Sequence, residues 1–238
     1  MALAGHTVRY EASGHGRPVV LVHGLGGSRR WWRETIAELS RDHRVIVPEL
    51  PGFSYGRGRR RFALKDAAPV LGGLLQQLGH ERADLVGHSF GALACLGVAA
   101  TDPELVRRLV LIAPPVRTAS PRMAGNALPV ARTLLRLPPT AALAVLGGFA
   151  IKSPASMLRA AGEILALDGD PGVGVELAVP TMVMWGSRDT IVPMGGADWL
   201  AGTLPRAQVV VIDDAGHIPM LDRPAEVNAA LRGFLAPE

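Results

Sequence analysis

Three residues far apart in the chain, Ser89, Asp189 and His217, have side chains that together could break an acyl bond. A serine hydroxyl is a poor nucleophile at neutral pH. It needs a base to take its proton and a third group to hold that base. Ser89 lies in Gly87-His88-Ser89-Phe90-Gly91, a G-x-S-x-G run. Such a run places the serine on a sharp strand-to-helix turn, and a Cβ on either glycine would collide with the neighbouring strand and helix. The pentapeptide alone is a weak signal in a chain with 28 glycines, so its partners decide its meaning. His217, after Asp213-Asp214-Ala215-Gly216, suits the base. Asp189, closing Trp185-Gly186-Ser187-Arg188-Asp189, suits the acid. Asp213 and Asp214 are nearer to His217 in sequence, but they share its loop and read as a turn. His6, His15, His43 and His80 fall in expected surface turns, and His23 and His88 read as loop-fixing neighbours of the site.

The developing negative charge of an acyl transition state needs backbone N–H groups aimed at it. His23-Gly24-Leu25-Gly26-Gly27 supplies a glycine-rich turn for this, and the expected donors are the N–H groups of Leu25 and Phe90. Gly24, Trp32, His88 and Met220 are candidate substrate contacts. For Trp32 and Met220 plain core packing is an equal alternative.

These residues need a scaffold that brings four loops to one edge. Apolar strand-like runs at 18–22, 44–47, 83–86, 109–113, 181–185 and 208–212 alternate with helix-like stretches, including 64–78 and 224–235. An early edge strand is expected at 7–11, and Ser28 can cap a helix carrying Trp31, Trp32, Ile36 and Leu39. Alternating β and α elements with continuous apolar strands predict a mostly parallel sheet flanked by helices. The alternation lapses between Pro114 and Pro180, where only helix-like pieces occur. The expected organisation is a core of residues 1–116 and 178–238 with a small helical lid over 117–177.

The 238 residues are 48% hydrophobic and 19% charged, which suits one domain with a full core. The formal charge is +4, with a basic run at Arg57-Gly58-Arg59-Arg60-Arg61 that no nucleic-acid motif accompanies. One cysteine, Cys95, excludes an internal disulfide and reads as buried packing. There is no apolar run of membrane-spanning length and no secretion-type leader, so a cytoplasmic location is expected. No metal-ligand spacing is present, and no metal or cofactor is expected.

Taken together, His23-Gly24-Leu25-Gly26-Gly27, Glu49-Leu50-Pro51-Gly52-Phe53, Gly87-His88-Ser89-Phe90-Gly91, Trp185-Gly186-Ser187-Arg188-Asp189 and Gly216-His217 resemble the α/β-hydrolase superfamily in order and spacing, over about residues 5–236. Glu49 departs from the aspartate usual at its position. The resemblance implies an α/β-hydrolase fold, a small serine carboxylesterase with a helical lid, and a small-molecule ester as substrate. Other chemistries of the superfamily stay open: C–C bond hydrolysis, lactone hydrolysis, acyl transfer, perhydrolysis, or a ligand-binding receptor with a slow triad. Arg132 and Arg136, four apart in the lid, would suit docking of an acidic acyl carrier, against a plain solvated helix face.

Overall fold

The computed structural model describes residues 1–51, 63–116, 127–150, 161–164, 177–204 and 206–236. Its centre is a seven-stranded sheet. The short β1 (Ala2–Leu3) and β2 (His6–Thr7) form a separate hairpin. The sheet strands are β3 (Arg9–Ser13), β4 (Arg17–Val22), β5 (His43–Glu49), β6 (Ala83–His88), β7 (Val106–Ile112), β8 (Thr181–Gly186) and β9 (Gln208–Ile212). They lie in the order β3-β5-β4-β6-β7-β8-β9, with only β3 antiparallel. The helices are α1 (Arg33–Leu39), α2 (Leu64–Gln77), α3 (Phe90–Thr101), α4 (Ala127–Arg136), α5 (Pro139–Ala150), α6 (Gly195–Thr203), α7 (Pro219–Asp222) and α8 (Pro224–Leu235).

The continuous apolar strands have a simple cause. A parallel strand covered by helices on both faces must be apolar at odd and even positions alike. Val20 and Val22 of β4, Leu85 of β6, and Leu109 and Leu111 of β7 pack with α2 and α3. Val19 and Leu21, Val86, and Val110 and Ile112, the alternate residues of the same strands, pack with α1 and α8. In β8, Val183 and Trp185 face α6, while Met182 and Met184 face the α8 side. Helix α3 runs behind the sheet and is apolar nearly all round, as burial demands.

Several boundaries differ from expectation for physical reasons. The early strand is split into β2 and β3. Strand β5 does not stop at Val47, where the expected run ends. It continues to Glu49, because Pro48 pairs with Tyr10 of β3 and lies beyond Ile46, the last residue paired to β4. The parallel ladder therefore loses nothing to the missing N–H. Ser28 does cap the next segment, its Oγ accepting from Arg30 N–H at 3.4 Å. That segment opens as a 3-10 turn, Arg29–Trp32, before α1 begins. His6 and His43 are buried and not in surface turns.

Strands β7 and β8 are neighbours in space, and residues 113–180 form an insertion between them in sequence. Helices α4 and α5 and a helical turn at 161–164 fall within that stretch. Of the helical pieces expected at 121–137, 140–151 and 154–167, residues 121–126, 151, 154–160 and 165–167 lie outside the described residues, as does the basic run 57–61.

The strand order also sets the place of the site. The chain passes from β4 outward to β5, then crosses back to β6 on the other side of β4. At such a switch point the loops after β4 and β6 turn away from each other and leave a crevice at the strands' C-terminal ends.

Candidate active site

Ser89 follows β6 at that crevice. Its backbone has φ 51° and ψ −117°, a region costly for a residue with a side chain. The strain is held from both sides: Ser89 N–H donates to Ile112 O at 2.8 Å, and Ser89 O accepts from Ala92 N–H at 2.9 Å. The flanking glycines permit the turn. A Cβ on Gly87 would sit 2.4 Å from Gly91 O, and one on Gly91 would sit 2.4 Å from Val22 O.

Asp189 and His217 come from the loops after β8 and β9. His217 Nδ1 lies 2.7 Å from Asp189 Oδ2, and the Asp189 side chain is fully buried. The other carboxylate oxygen accepts from Ile191 N–H and Val192 N–H, each at 2.8 Å. Val192 O is fixed in turn by the Trp185 indole N–H at 2.8 Å. The two loops are joined by Ser187 N–H to Ile212 O at 3.0 Å and Arg188 N–H to Ala215 O at 2.8 Å. Among the two nearer carboxylates, Asp213 accepts from Ser187 Oγ and Asp214 forms ion pairs with arginines, so both serve the turn.

His88 joins the turn at Ser89 to the loop that carries His217. Its Nε2 lies 2.8 Å from His217 O, so Nε2 carries the hydrogen and donates. Its ring centroid is 4.9 Å from that of His217, and Trp31 packs edge-on against it at 5.7 Å. Burial, and then the charge of His217, hold the His88 ring well below the usual imidazole range, which keeps it neutral.

The glycine loop after β4 lies against Ser89: a Cβ on Gly24 would meet His88 Nδ1 at 2.8 Å and Ser89 Cβ at 3.0 Å. Gly27 N–H donates to Gly24 O at 3.0 Å, closing the turn around Leu25. His23 fixes that turn from below. Leu50 N–H donates to its Nε2 at 3.4 Å, which leaves Nδ1 to donate to Gly24 O at 2.9 Å. Leu25 thus stands on the glycine loop beside Ser89, and Phe90, the residue after Ser89, opens α3. Trp32 and Met220 are buried in one apolar cluster with Leu137 and Val145 of the insertion.

Some contributors escape sequence reasoning. Asp222, on the unforeseen short helix α7, accepts from Gly216 N–H at 2.5 Å and braces the residue before His217. Asp84, inside the apolar run before Ser89, is buried against Arg107. Arg136 does not share an open face with Arg132: Arg132 is exposed, while Arg136 turns in to Asp214. No group of three or more metal-ligating side chains occurs among the described residues, and none of their helices is long and apolar enough to cross a membrane.

A doubly covered parallel sheet with a strained serine turn, an Asp–His pair and a glycine loop at one edge defines an α/β-hydrolase. The chain belongs to that family: the alpha/beta hydrolase family model matches residues 19–230. The 2-hydroxymuconate semialdehyde hydrolase of Pseudomonas sp. strain CF600 is 30% identical over 271 residues, covering 98% of this chain and 92% of its own. The magnesium-chelatase 30 kDa subunit of Rhodobacter capsulatus is 34% identical over 229 residues, covering 92% and 76%. Among solved structures, a thermophilic esterase from Thermogutta terrifontis superposes with a TM-score of 0.83 at 28% identity, covering 97% of this chain and 93% of that one.

Proposed function

We propose that the protein is a serine hydrolase that cleaves a carboxylic ester of a small molecule, working in the cytoplasm without metal or cofactor. The observation that carries this reading is the buried 2.7 Å pair of His217 and Asp189 on the sheet edge that presents Ser89 in a strained turn. Asp189 keeps the proton on His217 Nδ1, so Nε2 is free to act as a base. Ser89 Oγ attacks the acyl carbon as Nε2 takes its proton. The N–H groups of Leu25 and Phe90 hold the oxyanion. The imidazolium then gives its proton to the departing alcohol. A water, deprotonated by the same nitrogen, frees the acid and restores Ser89. The insertion serves as a lid over the acyl pocket, with Trp32 and Met220 in its apolar wall.

Ester chemistry is supported by the esterase named among the structural relatives. A second reading, hydrolysis of a C–C bond next to a carbonyl, is supported by the semialdehyde hydrolase relative that aligns along nearly the whole chain. A panel of p-nitrophenyl esters of graded acyl length, run beside a vinylogous 1,5-diketo acid, separates the two. Ser89→Ala is the control and is expected to lose about 10⁴-fold or more in kcat. Near-normal turnover in that variant, or no labelling of Ser89 by a fluorophosphonate, overturns both.

A further inference from the structure

Helix α4 is tied to the candidate site at both ends. Near its start, Pro129 O accepts from Thr190 Oγ1 at 3.3 Å, one residue beyond Asp189. At its last residue, Arg136 Nη2 donates to Asp214 Oδ1 at 2.7 Å and to Asp214 O at 3.0 Å, three residues before His217. The stem of Arg136 also lies over the base loop: a Cβ on Gly216 would be 3.8 Å from Arg136 Cδ. Between Pro129 and Arg136 run about two turns of helix, a spacer of fixed length near 10 Å. One end of that spacer holds the acid's loop and the other holds the base's loop.

The base loop needs such a hold. Asp214 sits at φ 52°, an unfavourable backbone for aspartate, at the tip of the turn that leads into His217. Arg188 and Arg223 also bond its carboxylate, but Arg188 comes from the loop after β8 and Arg223 from the junction of α7 and α8. Of the three arginines, only Arg136 comes from the insertion.

We propose that α4 is a positioning strut for the Asp189–His217 pair, with Arg136 as its positioning residue on the base side and Thr190 as its tie on the acid side. This rests on reading Ser89, Asp189 and His217 as a triad. Beyond that reading, it makes the placement of the acid and base loops depend on the placement of α4. Without the Arg136–Asp214 contact, the base loop keeps only its holds to the neighbouring residues Arg188 and Arg223 and loses its tie to α4.

The test compares Arg136→Ala, Arg136→Lys and Thr190→Val with Arg132→Ala, which removes an equal charge from the exposed side of the same helix. Amide hydrogen exchange is followed in 186–192 and 213–217, with kcat and KM on p-nitrophenyl acetate. Arg136→Ala is expected to exchange about tenfold faster in 213–217 and to lose kcat several-fold with KM little changed. Arg136→Lys should recover part of both, Thr190→Val should loosen 186–192, and Arg132→Ala should match wild type. A strut is overturned if exchange in both loops is unchanged by Arg136→Ala and Thr190→Val, or if Arg132→Ala gives the same effect. A lid that only binds substrate would raise KM and leave exchange alone. The exchange measurement needs no substrate, so it decides the strut even if no ester is turned over. Unchanged exchange with normal Ser89 turnover removes the strut and leaves the hydrolase reading standing.

Discussion

His217 Nδ1 and Asp189 Oδ2 stand 2.7 Å apart, and the far oxygen of the same carboxylate is already committed to two backbone N–H groups. This asymmetry dictates what an amide would do there. In Asp189→Asn, the amide oxygen must face the N–H groups of Ile191 and Val192, which leaves the NH₂ facing His217. The imidazole must then present a lone pair at Nδ1 and carry its proton on Nε2, where it cannot accept from Ser89. The loop geometry is kept and the tautomer is wrong. A loss of about 10⁴-fold in kcat with an unchanged melting temperature is expected. A loss under tenfold would show that the pair does not set the base.

His88 gives a stability prediction with a definite sign. Its folded-state pKa is pulled down by burial and by the charge of His217, whereas the unfolded chain has the ordinary value near 6.5. Below that value the unfolded state binds more protons than the folded state, so stability rises with pH in that range. The contribution is whole above about pH 6.5 and is lost as pH falls through the region below it, by up to about 1.4 kcal/mol per pH unit. Urea melts at several pH values between 7.5 and 5 measure this slope. In His88→Gln, which can still donate to His217 O, the slope should flatten. An identical slope in the variant would place the acid sensitivity elsewhere.

Asp84 has no exposed side-chain surface and is bonded through both oxygens to Arg107, by Nε at 2.9 Å and Nη2 at 2.5 Å. Removing only the cation leaves a charge buried within β6, the strand that presents Ser89. Arg107→Met is therefore expected to cost about 3–5 kcal/mol in chemical denaturation. The double change Asp84→Leu with Arg107→Met should recover most of that loss, since an apolar pair of similar size carries no desolvation penalty. If the double variant is no more stable than the single one, the pair has a packing role that charge does not explain.

The residues that could be read from the sequence are those whose neighbours are fixed by chain continuity. Gly87 and Gly91 are needed by the turn they flank. The apolar runs announce strands covered on both faces, and the order of Ser89, Asp189 and His217 follows the order of the strands that carry them. What stayed hidden depends on contacts across the fold. Asp84 reads as a lone acid in an apolar strand until β7 brings Arg107 beside it. Arg136 reads as half of a basic face until Asp214 is seen at its tip. His43 reads as a turn residue because nothing local shows that it starts a buried strand. Asp222 carried a weak signal, an acid following His217 after Pro219, but its partner is a backbone N–H that only α7 brings within reach.

Two glycine-to-alanine changes should move stability in opposite directions. At Gly91 a methyl group would be driven to 2.4 Å from Val22 O and 2.7 Å from His23 O, both backbone atoms of β4 and the loop after it. Neither can yield without parting α3 from β4 at the crevice that holds Ser89. Such overpacking is expected to cost about 3 kcal/mol and to lower turnover, because Phe90 N–H moves with the helix. At Gly147, within α5, a methyl group would have no neighbour within 4 Å, so alanine meets open space. There the helix gains about 0.5–1 kcal/mol from lower chain entropy in the unfolded state. Thermal melts of the two variants, with ester turnover alongside, check both. A Gly91→Ala protein as stable and active as wild type would mean that β4 and α3 do not approach as closely as the strained serine turn requires.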